Sequence, residues 1–149
     1  MMTRKSDFMT EAIREARRAH AKDEVPVGAV IVLDGKILAR GHNVREEKQS
    51  VLGHAELEAI ARATKKTGSW RLEDCDVYVT LEPCAMCAAA LQQARVRRVF
   101  YGVPDLKAGA VSLGLRLHDN PKLNHRYEMT CVERQECGTI LSAFFQTKR

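Results

Sequence analysis

Phe8, Met9, Ala12, Ile13, Ala16 and Ala19 recur at three- and four-residue intervals along a stretch that is otherwise polar. That spacing predicts an amphipathic helix over residues 7–22, with Ser6 as its N-cap. Residues 27–33 are apolar and largely β-branched, the mark of a buried strand. Asp34-Gly35 predicts a tight turn, and residues 36–42 return as the second strand of a hairpin. Residues 43–53 are polar and read as a loop. Ala, Glu, Leu, Arg and Lys dominate residues 54–67, which read as a helix ended by Gly68. Residues 76–81 form a short strand. Pro83 suits the first position of a helix that continues through residues 84–93. Residues 98–102 are a further strand, 104–126 are irregular, and 127–132 are the last strand. A final helix spans 136–145, with Ile140, Leu141, Phe144 and Phe145 on one side. This alternation implies an α/β layered domain, with helices on both faces of one mixed sheet. Residues 1–149 read as a single domain without linker or internal repeat.

Composition narrows the class. Hydrophobic residues make up 45% of the 149 and charged residues 29%, as in ordinary globular proteins. No apolar run approaches the roughly 18 residues of a membrane span. The N-terminus lacks the apolar core of a signal peptide, so the chain reads as cytoplasmic, with no membrane partner. Five cysteines, an odd number, argue against a closed disulfide framework. Cys75, Cys131 and Cys137 read as buried thiols in a reducing compartment. Residues 1–83 carry 14 Lys/Arg and 14 Asp/Glu, whereas residues 84–149 carry 10 basic against 5 acidic. The basic surplus therefore lies in the second part of the chain, which points to an acidic partner such as nucleic acid.

That surplus begins where the chemistry concentrates. His54-Ala55-Glu56 and Pro83-Cys84-Ala85-Met86-Cys87 supply three metal-ligand side chains and one spare acid. Zinc is usually four-coordinate, and a catalytic zinc keeps one position for water. Three ligands with an adjacent glutamate therefore read as a catalytic site. His54 and Glu56 are two apart, so they converge only if the metal lies over the start of their helix. Cys84 and Cys87 belong to the start of another helix. The spacing thus predicts two helix N-termini aimed at one metal, where the partial positive charge favours thiolates. Glu56 would take a proton from water and deliver it to the substrate. A Cys-x-x-Cys pair can also be a redox pair or half of a structural zinc site. The structural alternative needs a fourth ligand from His20, His42, His118, His125 or the lone cysteines, none of which is paired at ligand spacing.

The His-x-Glu and Pro-Cys-x-x-Cys pair is the signature of zinc nucleobase deaminases. Further blocks narrow the match: Glu24-Val25-Pro26-Val27-Gly28-Ala29-Val30, Gly41-His42-Asn43, Thr80-Leu81-Glu82 leading into the cysteine motif, Asp105-Leu106-Lys107-Ala108-Gly109-Ala110, Leu123-Asn124-His125-Arg126 and Phe144-Phe145. With these, the chain from about residue 7 to its end resembles the bacterial tRNA-specific adenosine deaminases of the cytidine/deoxycytidylate deaminase superfamily. The resemblance implies a three-layer α/β/α cytidine-deaminase-like fold around a five-stranded mixed sheet, and a homodimer. It implies zinc-dependent conversion of adenosine to inosine at the wobble position of a tRNA anticodon stem-loop. By position, His54, Cys84 and Cys87 match the ligands of one Zn2+ per chain, and Glu56 matches the proton shuttle. Asn43 matches a residue contacting the target nucleoside, and Glu24, Val25 and Pro26 match a loop lining the substrate pocket. Asp105 and Lys107 match a loop that meets the anticodon backbone. Phe145 and the basic C-terminus, Lys148-Arg149, match a helix packing beside the RNA. In one departure, Ala110-Val111-Ser112 is a residue shorter than the family's usual run; in another, Gly53 stands where alanine is usual. Aromatic residues are only 5%, which suits one flipped base better than a stacking platform. Phe144 is assigned to the core. The competing readings are a deaminase of a free base, nucleoside or nucleotide such as guanine, and a non-catalytic RNA-binding module with structural zinc.

Overall fold

The computed structural model describes residues 7–148. Ser6 and Arg149, assigned above to a cap and to RNA contact, lie outside the described residues. Helix α1 (Phe8–Ala21) is followed by strands β1 (Gly28–Leu33) and β2 (Lys36–His42). Then come α2 (Arg45–Lys48), α3 (Ala55–Thr67), β3 (Cys75–Leu81), α4 (Ala85–Gln93), β4 (Arg98–Val103), β5 (Glu128–Cys131) and α5 (Gln135–Gln146). The hairpin turns through Asp34 and Gly35, with φ of 52° and 76°, the left-handed pair that matches strand twist. Its register, Leu33 opposite Lys36, leaves only those two residues in the turn.

The five strands order as β2-β1-β3-β4-β5. β1 runs antiparallel to both β2 and β3, while β3, β4 and β5 are mutually parallel. Helices α1 and α5 cover one face, and α3 and α4 the other, giving the three-layer α/β/α architecture that the sequence pattern implies. On the first face, Met9, Ala12 and Ile13 of α1 meet Cys137 and Ile140 of α5. On the second, Ala55, Ala59 and Ala63 of α3 join Leu91 of α4 over Ala29, Ile31, Val77 and Val79. No described helix is long and apolar enough to cross a membrane.

Small residues set the layer spacing. Gly28 faces α1, and a Cβ there would lie 2.1 Å from the Ala12 carbonyl oxygen and 2.4 Å from the Ala16 nitrogen. Gly41 does the same for α3, with the Ala55 carbonyl oxygen at 2.4 Å. The helix backbones thus touch the sheet on opposite faces of one hairpin.

Three local readings need correction. Residues 45–48 form a short helix inside the segment read as loop, because the Glu24 carboxylate accepts hydrogen bonds from the Glu46 and Glu47 amides at 3.1 and 2.7 Å. Pro83 precedes the N-cap instead of starting the helix, since Cys84 is extended (φ −74°, ψ 175°) and α4 begins at Ala85. Cys131 is only half-buried, because β5 is an edge strand; Cys75 and Cys137 are buried as expected.

At the far end of β3, Asp76 receives paired hydrogen bonds from Arg97 (3.1 and 3.0 Å) and Arg98 (3.1 and 2.6 Å). Burial pushes its carboxyl up, but the two guanidinium groups outweigh burial and hold it below its ordinary 3.8.

Gly28→Ala is expected to cost at least roughly 1–3 kcal/mol by overpacking; a wild-type melting temperature would contradict the close approach of α1. Asp76 has a lowered folded pKa, so its contribution is complete above the unfolded carboxylate value and disappears as pH falls through the folded one. Asp76→Asn should therefore lose roughly 1–3 kcal/mol at neutral pH and show a smaller stability loss on acidification than wild type. Denaturant titrations at pH 7 and below pH 4 measure both.

Candidate metal centre and pocket

The sheet topology brings distant segments to one end. Because β1 is antiparallel to β3, the start of β1 lies beside the end of β3, and the Gly28 amide donates to Thr80 Oγ1 at 3.1 Å. The end of β2 pairs with the start of β1, Gly28 opposite His42, which delivers Asn43 to the same place. β4 runs parallel to β3, so Pro104 and Asp105 emerge alongside Leu81-Glu82-Pro83-Cys84. Ligand sites in α/β sheets commonly form outside the carboxyl ends of parallel strands for this reason.

Two helices begin at this end. His54 is the N-cap of α3 and Cys84 the N-cap of α4, both with extended backbone. His54 is thus outside the helical turn, and its imidazole can share a point with the side chains of Glu56 and α4. Cys87 follows one turn into α4. His54 Nδ1 lies 3.4 Å from Cys87 Sγ and 3.7 Å from Cys84 Sγ. The three ligand atoms all fall within 4.8 Å of one another. A tetrahedral zinc with Zn–S near 2.3 Å and Zn–N near 2.0 Å sets its S···N separations at about 3.6 Å. The observed pair brackets that value, and the donor set of one imidazole and two thiols suits zinc. Among the described residues no other cluster of this kind is found. The remaining histidines have other surroundings: His42 pairs with Glu15 at 2.9 Å, His125 with the Val96 carbonyl at 2.8 Å, His20 packs edge-on to Phe144 and His118 packs near Tyr127.

The protonation pattern follows from crowding. Cys84 is pulled down to about 4, chiefly by the hydrogen bond from Cys87, against the effect of burial, with His54 helping. Cys87 moves upward, because it supplies that bond and is more deeply buried. His54 is raised, first by its bond to Cys84. Glu56, 4% exposed, is pushed up to about 7 by burial, and the negative Cys84 adds to the rise. Metal binding at this pair therefore releases a proton.

The cluster opens on a cavity of about 950 Å3. Val25, Asn43, Glu56, Asp105, Lys107 and Phe145 all line it, as do His54 and Cys84. Cys87 lies fully buried behind Cys84. Asn43 is held by both ends of its amide: Oδ1 accepts from the Arg45 amide at 3.1 Å and Nδ2 donates to the Val25 carbonyl at 3.3 Å. Glu24 and Pro26 lie outside the wall, buried beneath it, Glu24 with its carboxylate committed to α2. Asp105 uses Oδ1 on the Lys107 and Ala108 amides, both at 3.1 Å, so it shapes its own turn. Phe144 is buried, as assigned, while Phe145 is 47% exposed at the rim. Lys148, read from the sequence as part of an RNA-facing C-terminus, also lines the cavity, whereas sequence reasoning missed Arg45, Glu82 and Leu141 as wall residues. Arg45 falls in the segment read as loop, and no local pattern marks it. Glu82 had a signal, an acid directly before Pro83-Cys84.

The MafB19-like deaminase family model matches residues 3–149. A tRNA-specific adenosine deaminase of Bacillus subtilis (strain 168) is 46% identical over 149 residues, covering 99% of this chain and 92% of that protein. One from Agrobacterium fabrum is 45% identical, covering 99% and 98%. A structure solved in a study of A-to-I editing by tRNA:A34 deaminases superposes with a TM-score of 0.86 at 45% identity, covering 91% of this chain and 99% of that one. A guanine deaminase from Bacillus subtilis superposes with a TM-score of 0.66 at 30% identity, covering 95% and 93%.

The purified protein is expected to carry one zinc per chain, by elemental analysis. Cys87→Ala should weaken zinc by more than the roughly 10–100-fold that loss of an outer hydrogen-bond partner costs. Full zinc retention in that variant would rule out the assigned ligand set.

Proposed function

This chain belongs to the tRNA-specific adenosine deaminases, and on that basis we propose that it converts adenosine to inosine at the wobble position of a tRNA anticodon by zinc-dependent hydrolytic deamination. The observation that carries the reading is the placement of Glu56: a buried carboxyl beside three ligand atoms, on the wall of an open cavity. Residues 1–149 act as one deaminase domain. His54, Cys84 and Cys87 hold the metal. When bound, zinc supplies a Lewis acid that brings the pKa of a water towards about 7.

Glu56 takes a proton from the attacking water and passes it to the substrate. Oxygen adds at C6 of adenine, the C6 amino group leaves as ammonia, and water is consumed. Asn43, fixed between Arg45 and Val25, offers its amide to the nucleoside. Val25 forms apolar wall against the base; Glu24 and Pro26 support that loop from behind. Arg45, Lys107 and Lys148 bring positive charge to the same cavity, and Asp105 shapes the turn that carries Lys107. Phosphates flanking a flipped nucleotide match those cations. Phe145 at the rim provides a ring face for a neighbouring base. Exposed Val51, Leu52, Leu113 and Leu115 supply apolar surface for a homodimer. The cytoplasm, where tRNA is available, is the assigned location.

Guanine is the competing substrate, given the guanine deaminase at 30% identity. Against it stand the higher identity to tRNA deaminases and the size of a cavity near the upper end of the usual roughly 300–1,000 Å3 range. A structural zinc site would require a fourth protein ligand, and among the described residues none joins the three.

An anticodon stem-loop with a wobble adenosine should yield inosine, while free guanine and adenosine offered in parallel should react far more slowly. Turnover of a free purine alone would overturn the RNA reading. Glu56→Ala should retain zinc and lose at least about 10²-fold in kcat; wild-type turnover in that variant would remove Glu56 from the mechanism.

A further inference from the structure

We infer that Glu82 is a positioning residue that hangs the loop of residues 104–112 on the entry to helix α4, and thereby sets where the pocket mouth stands relative to the metal ligands. This rests on the function proposed above. Glu82 follows the last residue of β3, and its own amide donates to the Val103 carbonyl at 3.0 Å. Its side chain is 3% exposed. A buried carboxylate is tolerated only when its oxygens are paired, and here every partner belongs to one loop. Oε1 accepts from the Asp105 amide at 2.9 Å and from Ser112 Oγ at 2.6 Å. Oε2 accepts from the Ser112 amide at 2.8 Å. No cation neutralises it at ion-pair distance among the described residues. The burial of Glu82 and the position of the loop therefore depend on each other.

The same loop is tied to the cysteine motif on the other side. The Ala110 amide donates to the Pro83 carbonyl at 2.9 Å, and Gly109 makes an antiparallel bridge with Cys84. Gly109 passes so close that a Cβ would lie 2.2 Å from the Glu82 carboxyl carbon and 2.3 Å from Oε2. Between these anchors, Asp105 folds the tip into a turn through the Lys107 and Ala108 amides. The exposed Leu106 and Lys107 are thus held at the mouth of the cavity. The run 110–112, short compared with the family pattern, is where the chain returns to Glu82 through Ser112. Charge-assisted hydrogen bonds of this kind are the stronger ones, and they connect the substrate-facing tip to the backbone that presents Cys84.

Glu82→Gln keeps the size of the side chain but turns an acceptor into an amide donor facing loop donors. With zinc-loaded protein and the anticodon stem-loop, KM should rise about tenfold. kcat should stay within about twofold and zinc content should be unchanged, the pattern of lost binding rather than lost chemistry. Amide exchange at Asp105 and Ser112 should accelerate. Gly109→Ala attacks the same contact from the loop side without altering Glu82, and should move KM and exchange in the same direction. Wild-type KM and exchange in both variants would overturn the inference. So would a fall in kcat and zinc with KM unchanged, because Glu82 would then serve only the Cys84 end. Should these variants fail to fold, Ser112→Ala removes the 2.6 Å bond alone and should raise KM about two- to threefold; an unchanged KM there is equally decisive against it. If wild-type protein does not act on the stem-loop, the proposed function fails, and amide exchange alone decides the role of Glu82.

Discussion

One residue of extended backbone before each of two helices governs the site. His54 and Cys84 are both N-caps, and each turns its side chain forward past the helix end instead of onto a helix face. Were either helix to start one residue earlier, that side chain would swing to the flank and the 3.4 and 3.7 Å separations would be lost. Two helix N-termini then face the same small volume, and their first-turn amides make it a favourable place for negative charge, the Cys87 amide helping to lower Cys84. Two thiols and a carboxyl can be crowded together there because the surrounding field is positive.

That crowding separates the roles of chemically similar groups. Cys84, at the cap and half-buried, is shifted towards the thiolate, while the deeper Cys87 is shifted the other way. Glu56 is buried without becoming a ligand, and burial moves its carboxyl towards neutrality. Glu82, close in sequence to Cys84, has a different task. Its oxygens are paired with donors of one loop, so it holds backbone in place, whereas Glu56 lies beside the ligand atoms. Buried carboxylates near the same motif are thus divided by what their oxygens meet.

The outer part of the site depends on buried acids beneath it. Glu24 holds the first amides of α2 and so fixes the segment from which Arg45 reaches the cavity. Asn43 is braced between the Val25 carbonyl and the Arg45 amide. The pocket wall is therefore made of loops whose conformations are enforced by hydrogen bonds to buried groups, which pre-organises the cavity.

Local pattern was sufficient for most of the architecture. The 3.6-residue repeat of α1, the β-branched run of β1, the Asp34-Gly35 turn and the Gly68 stop are short-range signals, and each element formed within a residue or two of its expected place. The three side chains that could hold a metal were legible because imidazole and thiol are metal-ligating types whatever the fold, and the structure brings their ligand atoms together. The family resemblance supplied Asn43, Asp105, Lys107 and Phe145, and these line the cavity; it also supplied Glu24 and Pro26, which lie behind it. Sequence had no means of separating these two groups, because direction of a loop side chain is set by what packs against it from elsewhere in the chain. The same holds for Arg45 and Lys148, which are 103 positions apart in sequence and meet one cavity only because β1 runs antiparallel to β3 and α5 packs on β4. Residue chemistry and short-range periodicity were determined by the sequence alone. Which acid is buried against loop amides, which lies beside the ligand atoms, and which cations share a wall were decided by tertiary contacts, since burial and long-range pairing exist only once the layers have closed.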